Sequence, residues 1–444
     1  MGIKNYQSNL IDEYPNIIVK KPIDIYYLCI DLNMILHKIC HQTNDYVKFL
    51  SLIEKEILKL IKKNNPKFIA IFTDGQAILA KANTQIKRRN KYLYQKSSGI
   101  CPLNLTPGTP FMNKVDERIK NFLASLKIES YYSPSSENNE GEIKLFNWLV
   151  DNKFNEKVCI IGNDSDLIVL ALSSRPLLNL YIFNGSSYIS LFKLIHNLSS
   201  LVNKKFSYQN HPIRNDFVLL SLLQGNDYNN KIADFKKLVL SYKKIQVNSN
   251  EFLITRNGQL NLNMIKKLLS NIQTNDENIY NSPDILQYFK CIQWNIDLYN
   301  NKSINNFIPK SICVNIKSIL KHIPKYLKLN KHHVNKWLDP DAYLLLLMPS
   351  TGKEYLPDRL KHFMEDGSCI KDLFPDPCKK CIEWKAKLKL LDKPPTDPKK
   401  LIEYKKKLSE TNISYTKHLN EFHNDKSLPI KRITDAILKK NITI

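Results

Sequence analysis

The sequence predicts an α/β fold: a mainly parallel central sheet flanked by helices, followed by a mostly helical carboxyl-terminal half. Three observations carry this. Short apolar runs alternate with helical patterns over residues 1–235, as strand–helix–strand units require. Several of those runs end in an acid, which puts carboxylates at the edge where open α/β sheets bind ligands. Beyond 235 the strand signals fade and helical apolar spacing takes over.

In chain order, IYYLCID (25–31) reads as a strand ending in Asp31, and KFIAIFTD (67–74) as a second ending in Asp74. Between them YVKFLSLIEKEILKLIKK (46–63) has helical spacing. QAILAKANTQIKRRNKYL (76–93) is a basic helix and FMNKVDERIKNFLASL (111–126) an amphipathic one. KIESYY (127–132) is a short strand, GEIKLFNWLVDN (141–152) a helix, KVCIIGN (157–163) a buried strand and LLNLYIF (177–183) a further strand. Four regions follow: 1–235 with the acids, 236–375 mostly helical, 376–425 a charged helical hairpin broken by KPPTDPKK, and 426–444 a terminal helix. No internal repeat is evident.

Bulk properties narrow the class. A chain of 444 residues, 43% hydrophobic, can bury a sizeable core, which excludes global disorder. A formal net charge of +24 favours a polyanionic partner, nucleic acid or an anionic surface, although a solvated cationic protein would share it. The amino-terminal MGIKNYQSNLIDEYP has no signal-type apolar stretch, and LLLLM (344–348) is far too short to span a bilayer. Tyr6 stands where a myristoylation signal wants Ser or Thr. The nine cysteines are odd in number and mostly irregular in spacing. The expectation is an intracellular protein with reduced thiols, the cytoplasm favoured over the nucleus, with no membrane partner and no protein partner assigned.

IIGNDSDLIVLAL (160–172) sets Asp164 and Asp166 between apolar runs. Burying an unpaired carboxylate there costs several kcal/mol, so a cation is the expected companion. ENNEGEIKLF places Glu140 and Glu142 on either side of Gly141 at a helix start. Residues two apart on a helix point to nearly opposite sides, so both face one site only if the preceding turn is irregular, which Gly141 permits. Asp227, in LLQGNDYNN, follows an apolar helix with Gly225 at the break. Asp31, Asp74, Glu140, Glu142, Asp164, Asp166 and Asp227 form an all-oxygen set suited to Mg²⁺ first and Mn²⁺ second. Two such ions about 4 Å apart would stabilise the attacking and leaving oxygens of phosphodiester hydrolysis. Each acid alone also reads as a helix cap or surface charge, as Glu137 and Asp151 do; the seven together read as catalytic metal ligands.

Lys81, Gln85, Arg88 and Arg89 lie at i, i+4, i+7 and i+8, on one face of a helix. Three cations and an amide there make a phosphate-sized pocket; a basic surface helix binding backbone non-specifically is the alternative.

With these motifs in order, the chain resembles the Xrn family of 5′→3′ exoribonucleases, within the wider group of metal-dependent nucleases that includes flap endonucleases. IDLNMILHKICH (30–41), TDGQAILAKANTQIKRR (73–89), LTPGTPFM (105–112), EGEIK (140–144), GNDSDLIVL (162–170) and DFVLLSLLQGNDY (216–228) follow the family's order. NGQLNL (257–262), LPDRLKHFMEDGSCIKDLFPD (356–376) and LPIKRITDAI (428–437) match more loosely. LTPGTPFM is the most telling, since no metal site requires it. The resemblance implies a PIN/flap-nuclease-like fold and removal of mononucleotides from single-stranded RNA with a 5′-monophosphate. It implies that Lys81, Gln85, Arg88 and Arg89 hold that phosphate, Lys81 belonging to the catalytic set as well, and that His37 stacks on the terminal base. Trp294, in CIQWN, is the candidate for the opposite face of the stack; a core tryptophan is its plain alternative. Cellular members are much longer, the aromatic stretch after CIQWNIDLY (291–299) is reduced here, and the 376–425 hairpin has no familiar counterpart. Such compactness would fit a viral or otherwise reduced gene.

Three rivals remain. A flap-type DNA nuclease would share the acids, but YNNKIADFKKLVLSYKK after Asp227 contains no glycine for a duplex-gripping hairpin. A non-catalytic RNA-binding protein of the same fold would be marked by lost acids, and none is lost. In the tail, Cys378-x₂-Cys381 and His418-x₄-His423 offer ligands for a structural Zn²⁺; the pairs lie far apart in sequence, but a helical hairpin could join them.

Overall fold

The computed structural model describes residue 3 and residues 5–93, 99–152, 155–174, 179–201, 211–247, 249, 251–274, 280–300, 312–327, 337–391, 394–395, 398–422 and 428–441. It divides into two compact units: residues 1–39, 47–81 and 116–337 form the first, and 40–46, 82–115 and 338–444 the second. These units do not follow the four sequence ranges, because two early segments join the carboxyl-terminal one.

The first unit holds a seven-stranded sheet among the described residues. Its strands are β1 (Ile18–Val19), β2 (Tyr27–Asp31), β3 (Phe68–Phe72), β4 (Glu129–Ser133), β5 (Val158–Ile161), β6 (Leu180–Phe183) and β7 (Tyr188–Ser190), in the order β1-β7-β6-β5-β2-β3-β4. Pairings β2–β3, β2–β5, β3–β4 and β5–β6 are parallel; β6–β7 and β1–β7 are antiparallel. The expected parallel sheet is therefore present, with an antiparallel edge that the sequence reading did not include. β2 and β5 are apolar because they lie in the middle of the sheet, where Leu28, Cys29, Ile30 and Val158 through Ile161 are fully buried. The helix Gly141–Asn152 lies on the sheet through Trp148, whose ring stacks on Tyr131 (5.5 Å) and Phe68 (5.8 Å).

Chain order and strand order together place the ligand edge. From β2 the chain moves outward through β3 and β4, then returns to β5 on the other side of β2 and moves away through β6. The switch point lies between β2 and β5, and ligands bind outside the carboxyl ends of strands at such points.

The rest of the first unit is helical: Phe235–Gln246, Leu262–Ser270, Ser282–Tyr299 and Ile316–His322. Its abundant asparagines have a local use here. Asn261, Asn281 and Asn315 each cap a helix by accepting from the backbone N–H three residues on. The second unit contains helices Pro340–Leu347, Asp358–Lys361, Lys379–Leu390, Pro398–Phe422 and Ile430–Asn441. Lys379–Leu390 packs on Pro398–Phe422, and Ile430–Asn441 packs on Pro340–Leu347. No helix among the described residues is long and apolar enough to cross a membrane.

Candidate active site

Register alone aligns the first acids. β2 pairs with β3 so that Asp31 faces Phe72, two residues before Asp74. β2 also pairs with β5 so that Ile30 faces Ile161, three residues before Asp164. Three adjacent parallel strands thus deliver Asp31, Asp74 and Asp164 to one edge. Asn33 braces two of them: its backbone N–H donates to Asp31 Oδ1 (3.1 Å), and its side-chain Oδ1 accepts from the Asp74 N–H (2.9 Å). The sequence reading passed over Asn33, although it lies inside the quoted IDLN string.

Glu140 and Glu142 arrive on the turn before the Gly141–Asn152 helix. The irregular residue of that turn is Asn139, with φ +87°, and not Gly141. Asn139 N–H donates to the Gln76 carbonyl (2.8 Å), and Gly75 N–H donates to the Asn139 carbonyl (2.9 Å). That pair of bonds ties the turn to the segment after β3. Gly141 N–H then donates to Asp74 Oδ1 (2.7 Å). A Cβ at 141 would lie 3.3 Å from Asp74 Oδ1 and 3.5 Å from Asp31 Oδ1, so this glycine supplies room between two acids. Lys144, also missed from sequence, is buried with Nζ on the Pro134 carbonyl (2.7 Å), and burial lowers its ammonium to about 8.

Asp166 opens the Asp166–Ser173 helix and donates its N–H to Asp164 Oδ1 (3.2 Å). Asp227 follows the His211–Leu222 helix past Gly225, whose φ of +84° is the expected break. Asn226 Oδ1 accepts from Tyr228 N–H (2.9 Å) and Asn229 N–H (3.1 Å), fixing the turn that carries Asp227.

The electrostatics show that these acids share one space. Burial, then the neighbouring Asp74 charge, raises Asp31 to about 8. Burial, then Asp164, raises Asp166 to about 7, and the same two causes hold Glu142 well above the carboxylate range. Lys81 sits among them, its Nζ 2.7 Å from Glu140 Oε1 and 3.6 Å from Asp227 Oδ2. Burial is the largest influence and alone would lower its ammonium; Glu140, Tyr228, Glu142 and Asp166 together outweigh it and hold the ammonium well above the usual lysine range. Asp166 Oδ1 is buried with no hydrogen-bond partner. A buried anionic oxygen without a donor fits a bound cation, and the all-oxygen donor set fits a hard divalent one.

The remaining sequence candidates fall as follows. His37 is exposed on the Leu32–Cys40 helix and is not part of the core. Trp294 is buried in a cluster with Ile78, Ala80, Tyr228, Cys291 and Leu298, its ring 5.1 Å from Tyr228 and edge-on to it. This corrects the stacking assignment: a base would have to open that cluster, and the core alternative accounts for Trp294. Gln85, Arg88 and Arg89 are half-buried on the Leu79–Arg89 helix. Arg89 Nε donates to Thr106 Oγ1 (2.8 Å), within LTPGTPFM, and Arg89 also bonds the Gln85 side chain. Cys378, Cys381 and His418 come together in the hairpin; His423 lies outside the described residues.

Known proteins resemble this chain in sequence. The family model for the XRN 5'-3' exonuclease N-terminus matches residues 1–99 and 95–183. 5'-3' exoribonuclease 1 of Homo sapiens is 25% identical over 384 residues, 69% of this chain and 22% of the human one. 5'-3' exoribonuclease 1 of Saccharomyces cerevisiae is 23% identical over 385 residues, 71% of this chain and 25% of the yeast one. The fold and its acid-lined edge define an α/β protein with its candidate site at the carboxyl ends of parallel strands. Within that class, the chain is similar to the Xrn family over its amino-terminal residues 1–183. It spans about a quarter of the length of these curated relatives. Among solved structures, the catalytic core of Rad2 in complex with DNA substrate covers 72% of this chain and 92% of its own at 14% identity, with a TM-score of 0.35. A bacteriophage T5 flap endonuclease covers 62% and 89% at 10% identity, with a TM-score of 0.34. Both overlaps are loose.

Proposed function

We propose that this chain is a 5′→3′ exoribonuclease that hydrolyses single-stranded RNA bearing a 5′-monophosphate to mononucleotides. The observation that supports the reading is the mutual electrostatic coupling of the buried carboxylates, with a buried Asp166 oxygen lacking a donor. The names of the relatives point the same way. Asp31, Asp74, Glu140, Glu142, Asp164, Asp166 and Asp227 are the residues that would hold hard divalent cations, Mg²⁺ or Mn²⁺. Once bound, a pair of such ions supplies charge stabilisation for the attacking and leaving oxygens of phosphodiester hydrolysis.

The chain's own groups do the rest. Asn33 and Gly141 N–H fix the carboxylate rotamers from outside the ligand set. Lys81 supplies positive charge inside the cluster, where it meets the phosphate that will be cleaved. The Leu79–Arg89 helix presents Arg88, Arg89 and Gln85 beyond it to the terminal phosphate, and exposed His37 offers a face to the first base.

The test offers purified protein three RNAs of one sequence, with 5′-monophosphate, 5′-hydroxyl and 5′-triphosphate ends, in Mg²⁺. The expected result is mononucleotide release from the monophosphate RNA, slower release from the hydroxyl RNA and little from the triphosphate. Internal cuts, equal rates on all three, or unchanged hydrolysis by Asp164→Asn with Asp166→Asn would overturn the assignment.

A further inference from the structure

The hairpin of Lys379–Leu390 and Pro398–Phe422 is unusual in what it buries. Ile382, Leu390, Ile402 and Ile413 are 44%, 84%, 74% and 65% exposed. Among its described residues two side chains are buried, Cys381 at 1% and His418 at 8%, one on each helix. The apolar side chains between the helices, Trp384, Leu388, Leu401, Tyr404, Leu408 and Tyr415, are only half-buried, and a small element with so thin a core gains from another tie. The two buried side chains, together with Cys378, are metal-ligand types.

Their geometry goes further than proximity. The two thiol sulfurs and one histidine nitrogen lie within 4.8 Å of one another. Cys378 Sγ is 3.5 Å from His418 Nε2. With bonds of about 2.3 Å to sulfur and about 2.0 Å to nitrogen, a tetrahedral zinc sets sulfur and nitrogen ligands about 3.5 Å apart. Cys378 and Cys381 flank the first turn of their helix, where the backbone N–H groups favour thiolates. Tyr415, one turn before His418, hydrogen-bonds Cys381 and so holds one sulfur from outside. None of the nine cysteines, all of them described, is in a disulfide.

We propose that Cys378, Cys381 and His418 form a structural zinc site that closes the open end of this hairpin. The soft sulfur donors select zinc over the hard cations suited to carboxylates, so this site is chemically distinct from the acid cluster. The metal joins the start of one helix to the last turns of the other and adds to their thin apolar contact. Three protein ligands leave a fourth position, for which the sequence offers His423, five residues after His418. The proposal does not depend on the nuclease reading.

The test is metal content of the full chain purified without chelator, then stripped and titrated with Zn²⁺ alone. About one zinc per chain is expected, with saturation at one equivalent. Cys378→Ser with Cys381→Ser, and separately His418→Ala, should abolish it, and protease should then cut within 379–422 while the remainder keeps its helical signal and its Mg²⁺-dependent activity. His423→Ala separates a protein ligand from water at the fourth position: weaker binding adds His423, and unchanged binding leaves the three-residue site. A chain that takes up no zinc, that holds these thiols as a disulfide when purified under reducing conditions, or that keeps its zinc in both variants would overturn the proposal.

Discussion

At the scale of single residues, the site is defined by carboxylates that the fold holds away from their ordinary state. Asp31 and Asp166 are raised from 3.8 to about 8 and about 7 by burial first and by neighbouring acids second. A group raised in the folded state stabilises the fold while protonated. That contribution is full below the unfolded value and is lost as pH rises through about 7 to 8. Metal-free protein should therefore lose Tm between about pH 6 and about pH 8, and Mg²⁺ should restore more at the higher pH. Scanning calorimetry with Mg²⁺ or with EDTA measures this; equal Mg²⁺ protection at both values would contradict it. Asn33 should matter as well: its side chain holds the Asp74 backbone N–H, while its bond to Asp31 comes from its own backbone and survives substitution. Asn33→Ala should cost about 10–100-fold in Mg²⁺ affinity or rate with the fold intact, read from a Mg²⁺ titration of hydrolysis. The acids themselves were legible because polar groups that end apolar runs stand out. Asn33 and Lys144 were not, since their value lies in partners distant in sequence. Gly141 was legible as necessary but for the wrong reason: Asn139 takes the left-handed backbone, and Gly141 gives space.

At the scale of elements, the helices and parallel strands could be read because each is a local pattern long enough to repeat. The helix expected at 46–63 is Tyr46–Asn64, and that expected at 141–152 is Gly141–Asn152. The antiparallel edge escaped because Ile18–Val19 and Tyr188–Ser190 are too short to show alternation. The Leu79–Arg89 helix carries the test of end recognition. Arg89 has a structural bond to Thr106, so removing it risks the LTPGTPFM segment as well as a phosphate contact. Arg88→Ala alone should lower the preference for 5′-monophosphate over 5′-hydroxyl RNA by about tenfold or more, as expected for a lost charged contact worth about 1.5 kcal/mol. General RNA affinity and Tm should change little. Arg89→Ala should lose both preference and stability. Competition between the two RNAs, run beside thermal melts, checks the pair; an Arg88→Ala protein with full preference would make this helix an ordinary basic surface.

At the scale of the whole molecule, the division into units was not legible, since residues 40–46 and 82–115 join 338–444 without any linker composition to announce it. Net charge was legible at once, and it makes a prediction that the carboxylate site does not. A +24 chain that tracks a single strand releases counterions in proportion to the phosphates it covers. Binding of 5′-monophosphate RNA by a metal-free, inactive chain should fall with salt at a logarithmic slope of about −0.7 per phosphate, so about −3 to −6 for a track of roughly four to eight contacts. The monophosphate preference is a difference of a single phosphate group, and it should shift by no more than about one such contact across the same range. Total affinity and end selectivity therefore separate on one salt axis, the first belonging to the surface as a whole and the second to one helix. Fluorescence anisotropy with the two 5′ ends at several salt concentrations yields both slopes. A flat total affinity would mean that the positive charge does not meet RNA. Equal slopes and equal affinities for both ends would leave only non-specific binding, and efficient junction cutting of a double-flap DNA with little action on RNA would move the chain to the flap-nuclease reading.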